Sequence, residues 1–406
     1  MSQEPLTEET KRAAAMAATV SVEDLLDLAA PQHGYAQRIE QGGFFEVMPG
    51  FFHSARRETT SYILRRHDLF SNAAPLDLGN VRPLIPLNVD PPQHTKYRKI
   101  LDPLFAPRRM DAIEDDLSER ANRFIDGFIG RRECNFSKEY AEVFPASVFL
   151  GLFGLPWEEL DSILEMRDGI MRPGAADDAV ELDPDKRLAI QRQTGARIYD
   201  YFDEILEDRS ARPQADMLTG FLTTEIDGER LSREEILDIC FLFVMAGLDT
   251  VSDTLSCFYA FLARHPDHQR QIVANPAVIP GAVEEMLRWE SPVPSGAPRI
   301  ATEDTLVQDH RVPAGAIVQV SYGAANVDPS VFDDPFDVRF DRDANNHIAF
   351  GAGVHRCLGR HLARRELRVT LREWHRRIPD YGLKPGCEDL VYPPGLRSVK
   401  DLMLVW

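Results

Sequence analysis

The chain is poor in cysteine, with five residues, at 134, 240, 257, 357 and 387, among 406. The count is odd and no two stand as Cys-x-x-Cys. That excludes a disulfide framework, a zinc ribbon and an iron–sulfur set. Long apolar runs are also missing. The longest, Ile239 to Leu248, is bounded by Asp238 and Asp249 and is about half of the ~20 residues that span a bilayer. Positive charge is in deficit: 46 Lys and Arg against 65 Asp and Glu give a formal net charge of −19. A field of that sign repels phosphate backbones and anionic lipid heads, so nucleic acid and membrane surfaces are poor partners. The N-terminus carries Glu4, Glu8 and Glu9 where a targeting signal is basic. A cytoplasmic protein with mostly free thiols is expected. No flavin or nicotinamide fingerprint is present, so any electrons must come from a separate protein.

What is present reads as a large, mainly helical protein. Apolar residues make up 44% and charged residues 27%, enough for a core that also holds a cofactor. Helical periodicity recurs over 57–69, 92–105, 108–130, 157–170, 187–208, 231–264, 278–290 and 357–377. Strand-like pieces are short: Phe44–Met48, Thr305–Val307, Ile317–Ser321 and Leu402–Trp406. No βαβ rhythm appears, so the class is mainly α with small β-sheets. Residues 1–20 are polar and alanine-rich and are expected to be flexible. Ser21 reads as a helix N-cap ahead of Glu23 and Asp24, and 21–406 as one domain. Residues 71–91 and 171–186 read as long loops, which in a compact domain are often lids.

The most informative segment runs Phe350-Gly351-Ala352-Gly353-Val354-His355-Arg356-Cys357-Leu358-Gly359. Its glycines permit positive φ and close approach to a flat partner. Cys357 stands where a helix begins, and the free N–H groups and macrodipole there favour a thiolate. Iron bound by such a thiolate receives electron density that favours O–O cleavage. Phe350 is placed to shield the sulfur from water. The spacing Phe-x-x-Gly-x-His-x-Cys-x-Gly resembles the haem-binding signature of the cytochrome P-450 superfamily in its bacterial form. The absence of Cys-x-x-Cys-His means a haem that is not covalently tethered.

Three further motifs bear on the resemblance. Ala246-Gly247-Leu248-Asp249-Thr250 interrupts a long apolar helix with a glycine that costs about 1 kcal/mol relative to alanine. The Thr250 hydroxyl is placed to bond back to the Ala246 carbonyl and open the helix locally. Glu285 and Arg288 share a helix face. After Asp90-Pro91-Pro92, His94 and Arg98 fall one turn apart.

The resemblance covers the chain from about residue 60 to the end and looks closest to soluble camphor-hydroxylase-type enzymes. It implies a cytochrome P-450 fold: a single triangular-prism-like domain with haem b between a long kinked helix and the helix after the cysteine. It implies Cys357 as iron ligand, with Phe350, Gly351 and Gly359 around the cofactor. Asp249 and Thr250 match the acid–alcohol pair that delivers protons during O2 activation. His94, Arg98, Arg299 and His355 match propionate-binding positions. Glu285, Arg288 and Arg339 match a structural network that locks the cysteine loop. The function implied is a monooxygenase that inserts one oxygen atom from O2 into a small lipophile, terpenoid-like first, with fatty acids or sterol-type lipids as other candidates. Pocket candidates are Leu242, Met245, Ala246 and Val293. Arg82, the one charged side chain between Asp77 and Asp90, is a candidate for a substrate carboxylate or carbonyl. Electrons would come from a ferredoxin and its reductase, docking on a stripe of Arg356, Arg360 and Arg364 with Arg98, Lys99, Arg108 and Arg109 nearby. The alternatives are a peroxide-driven haem-thiolate oxygenase, which usually lacks the acid–alcohol pair, and a non-enzymatic haem sensor, for which no output segment is left over.

Overall fold

The computed structural model describes residues 27–73, 77–174, 183–226, 228–343 and 345–406. The expected flexible segment 1–20, the N-cap at Ser21 and the middle of loop 171–186 (175–182) lie outside the described residues. The helices that frame the site are, in chain order, α1 (Gln93–Leu101), α2 (Val143–Phe153), α3 (Leu160–Met171), α4 (Pro184–Ala211), α5 (Arg233–Arg264), α6 (Ile279–Glu290) and α7 (Arg360–Arg377).

Helix α5 is 32 residues long, about 48 Å at 1.5 Å per residue. A capping box starts it: Glu235 N donates to Ser232 Oγ (3.2 Å), and Ser232 N donates to Glu235 Oε2 (2.7 Å). Pro266, which cannot follow a helical residue without a clash, ends it. Residues on every side of α5 are buried, as an axial helix requires. Its charged residues matter for another reason: no helix among the described residues is long and apolar enough to cross a membrane.

Most expected helices are present with shifted ends. The pattern over 108–130 divides into Pro107–Asp111 and Glu114–Phe128. Helix α2 was not expected. Phe144 to Leu150 and Phe153 are all buried, so the segment has no polar face and no 3.6-residue stripe to read.

Five short strands form the larger sheet: β1 (Phe44–Met48), β2 (Phe51–Ser54), β3 (Phe70–Ser71), β4 (Arg299–Ala301) and β5 (Ile317–Val320), in the order β1-β2-β5-β4-β3. β2 and β5 are parallel and the other pairs antiparallel. This sheet carries Arg299 into the interior, opposite Val318. Thr305–Val307 forms a separate hairpin with His310–Val312. Met403–Val405 lies between Gly382–Leu383 and Glu133–Asn135, with Leu404 opposite Cys134. That pairing fixes the chain end against Phe136, whose ring stacks 4.1 Å from Tyr259 and meets Trp374 edge-on. The class is mainly α with small sheets, as expected.

Candidate active site

The cysteine loop is shaped by its own backbone. Gly351 and Gly353 hold φ of 70° and 71°, and a Cβ on Gly353 would run into the Leu64 carbonyl. These two glycines serve the turn. Gly359 differs, since a Cβ there would meet nothing within 4 Å. Cys357 N donates to Phe350 O (2.9 Å), closing the loop. Cys357 is exposed, although Phe350 and Leu358 of the same loop pack half-buried against the core. It opens on a hollow whose other wall is α5. There Ala246 and Gly247 are exposed while Met245, Leu248 and Asp249 are buried. A Cβ on Gly247 would also meet nothing within 4 Å. Leu358 and Leu362 pack into the cluster that holds Leu242, Met245 and Leu248, so α5 and the start of α7 face each other across this hollow. Burial raises the thiol pKa, while the Gly359 N–H, Arg98, Arg360 and Arg364 pull it down.

At one side of the loop, polar groups are buried without partners. His94 and His355 meet in a tilted ring contact with centroids 4.2 Å apart, and neither Nε2 has a hydrogen-bond partner. His355 Nε2 stands 3.5 Å from Asp90 Oδ1, an ion-pair distance without an aligned hydrogen bond. Burial, then the neighbouring His355, lowers the His94 pKa to about 3. Arg299 is buried and donates to Asn72 Oδ1 and the Ala297 carbonyl. No described carboxylate reaches it within ion-pair distance. Arg98 pairs with Asp102 (2.6 Å) and donates to Arg356 O (3.0 Å). Two orphaned imidazoles and a buried guanidinium beside an open thiol fit a planar iron cofactor carrying two carboxylates.

On α5, Thr250 Oγ1 donates to Ala246 O (3.0 Å), as expected. The helix runs unbroken through this point, so the opening is confined to that carbonyl. Asp249 is buried and points away from solvent, toward α3. Its Oδ1 lies 3.0 Å from Arg172 Nη1 and 3.3 Å from Arg167 Nε, yet has no aligned donor. Burial raises its pKa, and Arg172 and Arg167 oppose the rise. One turn on, Asp253 accepts from the other nitrogen of the same arginine, Arg172 Nη2, at 3.2 Å. The sequence reading missed Asp253, Arg167 and Arg172. An aspartate four residues after Asp249 in an apolar helix was the available signal, but its partners come from a helix about eighty residues away.

The loop-locking network is present with one correction. Arg288 forks onto Glu285 with both bonds at 2.8 Å, and neither side chain is exposed. Its remaining donors reach Asn326 O, Pro335 O and Asp337 O. The third arginine is Arg342, not Arg339. Arg342 Nε lies 3.1 and 3.0 Å from the two Glu285 oxygens and its side chain is 4% exposed. Arg339 contributes only its backbone N–H to Glu285 (2.9 Å), and its 44% exposed side chain points to Asp334.

Two other expectations change. Arg82 does not offer a free cation to a substrate. Its Nε binds Asp238 Oδ2 (2.8 Å), its guanidinium lies over Tyr199, and Tyr199 Oη donates to Asp238 Oδ1 (2.9 Å). Arg364 does not stand free beside Arg356 and Arg360. It forks onto Glu284 with both bonds at 2.7 Å. Among the pocket candidates, Leu242 and Met245 are buried, Ala246 is open to the hollow and Val293 is half-buried.

Comparison with known proteins agrees with this geometry. The profile of the cytochrome P450 family matches residues 87–374. A probable cytochrome P450 127A1 of Sinorhizobium fredii is 34% identical over 86% of this chain and 80% of its own length. A steroid C26-monooxygenase of Mycolicibacterium smegmatis is 33% identical over 84% of each. The myxobacterial cytochrome P450 CYP267B1, solved in complex with myristic acid, superposes with a TM-score of 0.84 at 27% identity, covering 95% of this chain and 99% of that one.

Proposed function

The chain belongs to the cytochrome P450 family and is a haem-dependent monooxygenase, and from that premise we propose that it hydroxylates a small neutral lipophile, terpenoid-like or steroid-like, with electrons from a ferredoxin. The observation that carries the reading is the Cys357 thiol opening on the same hollow as Ala246 and Gly247. Haem b, when bound there, would supply the oxygen-activating redox chemistry. Every other task falls to the chain.

Cys357 would ligate the iron, with Phe350 and Gly351 in the loop behind it and Gly359, where a Cβ would meet nothing within 4 Å, leaving room for the cofactor. His94, Arg98, Arg299 and His355 would hold the two propionates; a carboxylate there would satisfy the unpaired His94 and His355 nitrogens. Glu285, Arg288 and Arg342 keep the loop rigid. Thr250 presents its hydroxyl at the edge of the hollow, where it can pass a proton inward. Asp249, shielded from water by Arg167 and Arg172, is the acid that resupplies it. Arg172, the more exposed of the two arginines, marks the side of Asp249 nearest to solvent.

The substrate class follows from charge. Arg82 is neutralised by Asp238, and the wall residues Leu242, Met245, Ala246 and Val293 are apolar. A buried carboxylate substrate would lack a counter-charge, whereas a neutral lipophile needs none. A panel of terpenoids, steroids and fatty acids is added to the ferric enzyme and the haem spectrum followed. Neutral compounds are expected to displace iron-bound water at least about tenfold more tightly than fatty acids of equal carbon number, as the missing ion pair implies. Equal or tighter fatty-acid binding would contradict the neutral-substrate reading.

A further inference from the structure

An ion cluster beneath the cysteine loop has no part in the chemistry derived above. Glu284 neighbours the loop-locking Glu285 but faces a different set of partners. It accepts from Arg364 Nε and Nη2, both at 2.7 Å, and from His347 Nε2 at 3.0 Å. Burial by itself would raise the Glu284 pKa, but His347 and Arg364 outweigh it and hold the carboxyl at about 2. Glu284 is therefore ionised across the working range and the fork is permanent.

The fork has a geometric consequence. It holds the guanidinium against the Phe350 ring, with Cζ 4.5 Å from the centroid, within the range of a cation–π contact. Phe350 O is the acceptor for the Cys357 N–H, so the ring carrying the cation belongs to the residue that closes the thiolate loop. The Arg364 side chain is 17% exposed, and a charge so placed is weakly screened. A lysine cannot fork onto a carboxylate and lie flat on a ring together. The other two cations near the sulfur are held differently: Arg98 pairs with Asp102, and Arg360 donates to the Cys357 carbonyl.

On the reading that Cys357 ligates the haem iron, we propose that Arg364, oriented by Glu284, is a positioning residue that sets the electrostatics of the thiolate and raises the reduction potential of the iron, rather than a residue that docks the electron donor. A fixed cation beside the ligand stabilises the state that carries the additional electron. Its orientation, set by Glu284 from α6, also couples the potential to the packing of α6 on the cysteine loop.

The test uses the holoenzyme with Arg364→Gln and Arg364→Lys. Potentials are measured spectroelectrochemically with small mediators and no protein donor. The KM for a bacterial [2Fe–2S] ferredoxin is measured separately. In Arg364→Gln the ratio of ferrous to ferric enzyme at a fixed ambient potential is expected to fall about tenfold, 59 mV for a one-electron couple. Arg364→Lys, which keeps the charge and loses the fork, should fall between that variant and the parent. The ferredoxin KM should stay within about twofold of the parent, because no docking cation is lost. If Arg364→Gln does not retain haem, Arg364→Lys carries the same comparison. Unmoved potentials with a raised ferredoxin KM would overturn the proposal in favour of docking. The parent is first reduced under carbon monoxide. A parent without a red-shifted Soret band overturns the Cys357 reading itself, whereas a red-shifted parent with unmoved variant potentials overturns this proposal alone.

Discussion

Asp249 and Asp253 stand one turn apart on α5 and share Arg172. Two buried carboxylates competing for the same cations cannot both ionise at ordinary cost. Burial, and next the neighbouring Asp249, raises the Asp253 pKa to about 8, against the pull of Arg172 and Arg167. In the unfolded chain an aspartate titrates near ~3.9. Between these two values the folded state holds a proton that the unfolded state has released, so this group's contribution to stability falls as pH rises from about 4 to about 8. Asp253→Asn removes that loss. The melting temperature of the variant relative to the parent should rise steadily across the same window; a constant difference would show that Asp253 titrates as an ordinary aspartate. At Glu285 the discriminating pair is Arg342→Ala and Arg339→Ala. Losing Arg342 removes one of the two buried cations on Glu285, leaving the Arg288 fork, and should cost about 2 kcal/mol by denaturant unfolding, whereas losing the exposed Arg339 should cost less than about 0.5 kcal/mol. Equal costs would contradict the assignment. The sequence marked the right stretch and the wrong arginine. Both residues stand in one short turn-rich segment, and the backbone N–H of one and the side chain of the other reach the same carboxylate. Spacing could not separate them.

Elements were legible where they had two faces. The helices carrying Glu285, Asp249 and the residues after Cys357 each announced themselves by periodicity or by a motif. Helix α2 did not, because burial on every side leaves no pattern to detect. The loop spanning 71–91 was legible as a loop, and its partner was not. Gly79 and Gly195 of α4 meet backbone to backbone: a Cβ on Gly195 would run into the Gly79 carbonyl, and one on Gly79 into the Gln191 carbonyl. Arg192 also pairs with Asp77 at 3.0 Å, and Arg82 binds Asp238 of α5. This loop is thus fastened to α4 and α5 beside the hollow. Gly195→Ala should push the fastening apart at a cost of about 1–3 kcal/mol. Lipophile affinity, read from the haem spectrum, is then expected to weaken by about tenfold or more while the carbon monoxide spectrum stays unchanged. Unaltered affinity would mean that the loop closes without this contact.

At the scale of the whole molecule, the formal charge of −19 concealed how the basic residues are used. Helix α7 reads as a cationic stripe. In the folded protein Arg364 pairs with Glu284, Arg365 with Asp111 and Glu114, Arg372 with Glu114, and Arg377 with Asp126. Most of the stripe joins α7 to the helices around it, and Arg356 and Arg360 remain beside the cysteine loop. Pairing between distant segments is a property of the fold and leaves no local trace in the chain. The signature around Cys357 did leave one, because its positive-φ glycines and its closing hydrogen bond lie within a few residues of one another.

The central claim is that the Cys357 sulfur is the iron ligand. The direct measurement is the absorption spectrum of the haem-loaded protein after reduction and addition of carbon monoxide, for the parent and for Cys357→Ala. The parent should show a strongly red-shifted Soret band, and the variant should lose that band even where some haem is retained. A parent without it, or a variant that keeps it, would contradict the assignment.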